Sequence, residues 1–89
     1  MSKTFNIAKE LISKKSITPN DAGCQDLLIE HLTALDFSIE NMDYGDVKNF
    51  YAKRGKGSPL VVFAGHTDVV PPGPEDQWQS PPFSPTVIN

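Results

Sequence analysis

A histidine and an aspartate stand two residues apart, His66 and Asp68, in the stretch Ala64-Gly65-His66-Thr67-Asp68-Val69-Val70. An imidazole can ligate zinc through one ring nitrogen, and a carboxylate can accept a hydrogen bond from the other and steady the ring. In extended backbone side chains alternate, so Leu60, Val62, Ala64, His66 and Asp68 share one face, with the His66 and Asp68 alpha carbons about 6.6 Å apart. Gly65 lets the backbone approach closely just before the imidazole. The pair therefore has the makings of a metal ligand and its hydrogen-bonded partner. The plainer alternative is a packed or exposed histidine with no ligand role. A catalytic zinc needs about three protein ligands, and the chain offers no second cluster of His, Asp and Glu at convincing spacing.

The pair follows residues 60–64, the only sustained apolar run, whose length and Val and Phe content read as a buried central strand. Open α/β sheets bind ligands just past the carboxyl ends of their strands, where this pair would then sit. Upstream, Phe5, Ala8, Leu11 and Ile12 recur at helical spacing, widened by Ile7, and predict a helix over residues 4–15 with Lys14 and Lys15 at the negative end of its dipole. Ser16-Ile17-Thr18-Pro19 breaks that helix, and Asn20 or Asp21 caps a second one running to about Leu35 with Leu28, Leu32 and Leu35 on its buried face. Residues 37–42 and 48–53 read as a hairpin or edge pair joined through Asp43-Tyr44-Gly45-Asp46. Gly55-Lys56-Gly57-Ser58 turns the chain into the central strand.

Six of the eight prolines fall within residues 71–85, together with the only tryptophan. That segment is an ordered loop or a polyproline stretch, with Trp78 and Phe83 as anchors over a cleft or, alternatively, as parts of a ligand for a partner's aromatic groove. Residues 86–89 open a further strand. Cys24 and His31 on the second helix read as a small buried cysteine and a boundary histidine, and Glu10, Glu30 and Glu40 as solvated carboxylates. Helix, helix, hairpin, central strand and a strand just beginning define an α/β class with an incomplete sheet.

At 89 residues the chain has room for one small domain of marginal independent stability. A net charge of -3 provides no basic patch, which argues against nucleic acid and anionic membranes as partners. With no signal-peptide or membrane-span pattern and a single cysteine, the expectation is a cytoplasmic protein.

The run Phe63-Ala64-Gly65-His66-Thr67-Asp68-Val69-Val70-Pro71, followed by Gly73, Trp78 and Pro81-Pro82-Phe83-Ser84-Pro85, resembles the first metal-binding motif of the zinc-dependent aminoacylase and carboxypeptidase family. Ser16-Ile17-Thr18-Pro19, Asp21-Ala22-Gly23-Cys24-Gln25 and the hairpin from Gly45 to Ala52 are similar to the amino-terminal region of its desuccinylating branch. The resemblance implies a three-layer, zinc-exopeptidase-like catalytic domain of which residues 1–89 are the amino-terminal segment. It also implies two zinc ions per subunit, replaceable by cobalt, and a homodimer formed through a separate domain. The implied reaction is hydrolysis of N-succinyl-LL-2,6-diaminopimelate in lysine and diaminopimelate biosynthesis; an acetylornithine or other acyl-amino-acid deacylase is the alternative within the family. His66 would ligate a metal, and Asp68 would be the catalytic-site residue that orients it. The family's bridging Asp, general-base Glu and second His do not occur before Asn89, so the expectation for this chain alone is no activity. A non-catalytic module docking through residues 71–85 is the reading from another class. Asp36 departs from the family's usual glycine after the second helix and predicts a strained cap.

Overall fold

The computed structural model describes residues 2–88, as two helices followed by a two-stranded antiparallel sheet and a long irregular segment. Helix α1 is Lys3–Ile12, started by the Ser2 hydroxyl, which accepts from the Phe5 N–H at 3.0 Å. It stops earlier than its apolar spacing predicts. Beyond Ile12 the chain tightens: the Lys14 N–H reaches the Leu11 carbonyl and the Ser13 hydroxyl donates to the Glu10 carbonyl at 2.6 Å. Lys14 and Lys15 therefore lie past the last turn. Phe5, Ile7 and Leu11 are half-buried, whereas Ala8 and Ile12 are exposed.

Helix α2 is Cys24–Ala34, beginning later than the Asn20 or Asp21 cap predicted from the sequence. Gly23, at φ 85°, is the residue from which the helix starts, and its lack of a side chain leaves capping to others. The Asn20 Oδ1 accepts from the Ala22 N–H at 3.1 Å, and the Asp21 carboxylate accepts from the Gln25 N–H at 3.0 Å. Both acceptors thus act from outside the helix. At the other end the Asp36 N–H bonds the Thr33 carbonyl and the Phe37 N–H bonds the Leu32 carbonyl, the paired hydrogen bonds of a Schellman cap. Asp36 supplies its left-handed residue, at φ 68°. Leu28 and Leu32 are half-buried, but Leu35, expected on the buried face, is 54% exposed because it sits where the helix turns off.

Strand β1 is Ser38–Asn41 and β2 is Phe50–Lys53, paired antiparallel from Ser38 opposite Lys53 to Asn41 opposite Phe50. The hairpin predicted through Asp43-Tyr44-Gly45-Asp46 forms. Tyr44 and Val47 exchange backbone hydrogen bonds around Gly45-Asp46, with Gly45 at φ 60°, the sign that a two-residue hairpin turn demands of its first central residue. The Asp43 carboxylate also accepts from the Asn49 N–H at 3.0 Å, and the Gln25 amide donates to the Lys48 carbonyl at 2.7 Å, tying the hairpin to α2.

The central strand expected over residues 60–64 does not form. Leu60 is 71% exposed and Phe63 94%, and the sheet has the order β1-β2 with no third strand among the described residues. The physical reason is pairing. A strand exists by exchanging backbone hydrogen bonds with a neighbour, and residues 60–64 lie along neither free edge of the β1-β2 pair. Residues 86–88 are likewise unpaired, and Asn89, the last residue of the predicted opening strand, lies outside the described residues.

What is buried is small and mostly polar: Cys24 at 2%, Ser16 at 3% and Asp21 at 9% exposure. The radius of gyration is 15.3 Å, against about 12 Å for a closed domain of this length. The described chain is thus an open arrangement gathered around one polar junction. Replacing Asp36 by glycine removes the cost of a left-handed aspartate from the α2 cap. Asp36→Gly is expected to raise the unfolding free energy by about 1 kcal/mol, read from a shift in the denaturant midpoint at unchanged slope.

Candidate metal-ligand site

His66 and Asp68 lie on an irregular segment, held not by a sheet but by residues 16–21. Ile17 and Val69 form an isolated parallel bridge, in which the Val69 N–H donates to the Ser16 carbonyl at 2.9 Å and the Thr18 N–H to the Val69 carbonyl at 2.9 Å. The Ser16 hydroxyl donates to the Thr67 carbonyl at 2.8 Å, and the Thr67 hydroxyl donates to Asp21 Oδ1 at 3.1 Å. The break between the helices is therefore also the clamp on the site. Read locally, Ser16-Ile17-Thr18-Pro19 signals the end of α1; its role in positioning the site arises from the Ser16 contact with Thr67, 51 residues away along the chain, and Asp21 adds a contact across 46 residues.

Within the clamp the pair is in direct contact. The His66 Nδ1 lies 2.8 Å from the Asp68 carbonyl oxygen and 3.2 Å from its Oδ1. A carbonyl oxygen can only accept, so Nδ1 carries the proton and donates. In a neutral imidazole that leaves the lone pair on Nε2, the nitrogen turned away from Asp68. The His66 side chain is 81% exposed, so this nitrogen is open to a ligand. The Asp68 carboxyl is held below its ordinary value of 3.8, chiefly by the Thr18 side chain; desolvation opposes this, and the charge of the neighbouring imidazole adds to the lowering. Asp68 is accordingly a carboxylate at neutral pH.

Two clefts border His66. One, of about 250 Å³, has the more polar lining of the two and runs between Thr18, Asp21, Gln25, the hairpin base at Lys48 and Asn49, and the pair itself. The other, of about 450 Å³, is mainly apolar and is walled by Leu11, Ile12, Val69, Val70, Trp78 and Phe83. The proline-rich segment is folded rather than extended at this wall. The Trp78 indole N–H donates to the Pro72 carbonyl at 3.1 Å across a 3-10 turn at Glu75–Gln77, and the Lys15 ammonium stands 5.9 Å from the centre of the Phe83 ring. Phe83 is half-buried, while Trp78 remains 47% exposed.

The donor set suits zinc in kind, since a neutral imidazole with its second nitrogen bonded to oxygen is a standard zinc ligand. It does not suffice in number. Among the described residues no three His, Cys, Asp or Glu side chains gather into a metal-holding group. Cys24 is buried at the start of α2, its thiol 4.0 Å from the Leu11 carbonyl, and brings nothing to the pair.

A fixed imidazole with an outward lone pair defines a metal-ligating or proton-handling motif, and the relatives of the chain narrow that class. The chain is 64% identical over 87 residues to the succinyl-diaminopimelate desuccinylase of Methylobacillus flagellatus, covering 98% of this chain and 23% of that protein. It is 57% identical over all 89 residues to the desuccinylase of Coxiella burnetii, covering 24% of it, and 58% identical over 87 residues to that of Alkalilimnicola ehrlichii, covering 23%. The chain thus spans about a quarter of the length of the curated relatives it matches. No family model matches it.

The depressed Asp68 carboxyl has a defined pH consequence. Because its folded value lies below 3.8, the stability it contributes is present above that pH and is lost as pH falls through the folded value. Thr18→Val removes the main cause and is expected to move the Asp68 titration upward, toward 3.8, in carbon-13 NMR of the side-chain carboxyl.

Proposed function

We propose that the chain is the amino-terminal segment of the catalytic domain of a metal-dependent succinyl-diaminopimelate desuccinylase. The reaction is hydrolysis of N-succinyl-LL-2,6-diaminopimelate to succinate and LL-2,6-diaminopimelate, a step of bacterial lysine and diaminopimelate biosynthesis. The observation that carries this reading is the 64% identity over 87 residues with a protein of that name, joined to a His66 ring whose Nε2 is free to ligate. The rest of a three-layer domain would come from beyond these residues, and so would a dimerisation domain that makes the enzyme a homodimer. No helix among the described residues is long and apolar enough to cross a membrane; the enzyme is proposed to be cytoplasmic.

His66 ligates one of two zinc ions through Nε2, and cobalt can replace zinc at such nitrogen and oxygen sites. Bound there, the metal supplies Lewis acidity toward the scissile amide carbonyl and lowers the pKa of the attacking water. Asp68 takes no part in bond breaking in this scheme. Its carbonyl and carboxylate hold the imidazole in the Nδ1-protonated form and fix the direction of the ring. The cleft beside Lys48 and Asn49 reaches His66 and Asp68 and offers a charged, hydrogen-bonding substrate access to the pair. None of the residues assigned here carries the proton of the leaving amine, a task that a carboxylate would perform.

Two substitutions test the assignment in the protein as expressed from its gene. Asp68→Ala is expected to lower turnover or zinc affinity by about 10- to 100-fold, and His66→Ala by more than that. Zinc content after dialysis and the rate of succinate release measure both; retention of metal and turnover in His66→Ala refutes the assignment. The 89-residue chain alone, with one ligand of the roughly three a catalytic zinc needs, is expected to show neither stoichiometric zinc binding in calorimetry nor amide hydrolysis.

A further inference from the structure

Between the two residues of the pair stands Thr67, whose carbonyl and hydroxyl are both engaged by the segment between the helices. Its carbonyl accepts from the Ser16 hydroxyl at 2.8 Å and its hydroxyl donates to Asp21 Oδ1 at 3.1 Å. Thr67 is half-buried against that segment, whereas the His66 side chain beside it is 81% exposed. Adjacent side chains along extended backbone face opposite sides, so a tether on Thr67 decides which side its neighbours present.

The residue holding this tether is itself unusual. Asp21 is 9% exposed, and its carboxylate serves two donors at once, the Thr67 hydroxyl and the Gln25 N–H of α2. An exposed serine or asparagine would cap a helix as well, without the cost of burying a charge. A buried carboxylate is explained by the second duty. It joins the positive end of α2 to the one residue lying between His66 and Asp68.

We propose that Asp21 is a positioning residue for the His66–Asp68 pair. By fixing the Thr67 hydroxyl, it sets the path of the chain that places the His66 Nδ1–H against Asp68 and turns Nε2 outward. Its catalytic meaning rests on His66 being a zinc ligand, but the effect on the imidazole is a property of this chain without metal.

The test uses the protein as expressed from its gene, with nitrogen-15-labelled histidine, and compares Thr67→Val, Thr67→Ser and Asp21→Asn. In metal-free protein the His66 nitrogen shifts, identified by their loss in His66→Ala, report the tautomer. Thr67→Val is expected to convert a single Nδ1-protonated form into a mixture. Cobalt titration, followed by visible absorption, should show affinity falling about 10- to 100-fold for Thr67→Val and Asp21→Asn, and staying within about threefold for Thr67→Ser. An unchanged tautomer and cobalt affinity in folded Thr67→Val would overturn the proposal and leave Asp21 a helix cap only. If Asp21→Asn does not fold, Thr67→Val decides alone, because it leaves the Gln25 cap intact. Cobalt binding that is indifferent to His66→Ala defeats the zinc reading, while the tautomer shifts still decide whether Asp21 positions the ring.

Discussion

Two backbone hydrogen bonds, from Val69 to Ser16 and from Thr18 to Val69, join the segment between the helices to the segment that bears the imidazole. Everything else about the site follows from that crossing. Each such bond is worth only about 0.5–1.5 kcal/mol net, yet between them they close a loop of some fifty residues and bring the Ser16 and Asp21 side chains within reach of Thr67. The buried positions of the chain, Cys24, Ser16 and Asp21, cluster at this junction and not along an apolar helix face. The polar groups there are satisfied: no buried side-chain nitrogen or oxygen among the described residues lacks a partner.

The energetic balance of the chain is correspondingly lopsided. Fully burying a Leu, Ile or Phe side chain contributes about 1.5–3 kcal/mol, and the helices bury theirs only by half. Leu60, Val61, Val62 and Phe63 stand open to solvent, as do Val87 and Ile88. A run apolar on both faces is suited to a position between two covering layers, which the described residues do not provide. The apolar cleft beside Trp78 and Phe83 has the same origin, because its walls come from α1, the site segment and the proline-rich loop without a floor that closes them. Order near His66 thus depends on hydrogen bonds to a degree that a closed domain would not require.

The chemistry of the pair is set by the acceptor character of Asp68. Because a carbonyl oxygen cannot donate, the 2.8 Å contact puts a proton on His66 Nδ1, and in the neutral ring the lone pair is then on Nε2. The Asp68 carboxylate, 3.2 Å from the same nitrogen, reinforces it. Thr18 and Asp21 reach the pair from one side and leave the other open. The same segment thereby serves as stop signal for one helix, cap for the next and clamp for the site.

Much of this was written in local patterns. The spacing of Phe5, Leu11 and Ile12 specified a helix, Asp43-Tyr44-Gly45-Asp46 specified a hairpin turn, and a carboxylate two places beyond a histidine specified a candidate pair, because each depends on interactions within a few residues. Helix ends were less legible, since α2 starts at Gly23 and borrows its caps from Asn20 and Asp21 across a bend that propensity does not describe. The central strand was misjudged for a related reason: apolar character marks residues 60–64 as fit for a sheet, but a strand requires a partner's backbone, and pairing is decided in space. The roles of Ser16, Thr18, Asp21 and Thr67 belonged wholly to the tertiary structure. Short polar residues of these types cap and turn chains everywhere, and only when the two segments meet does their geometry single them out as what holds the imidazole.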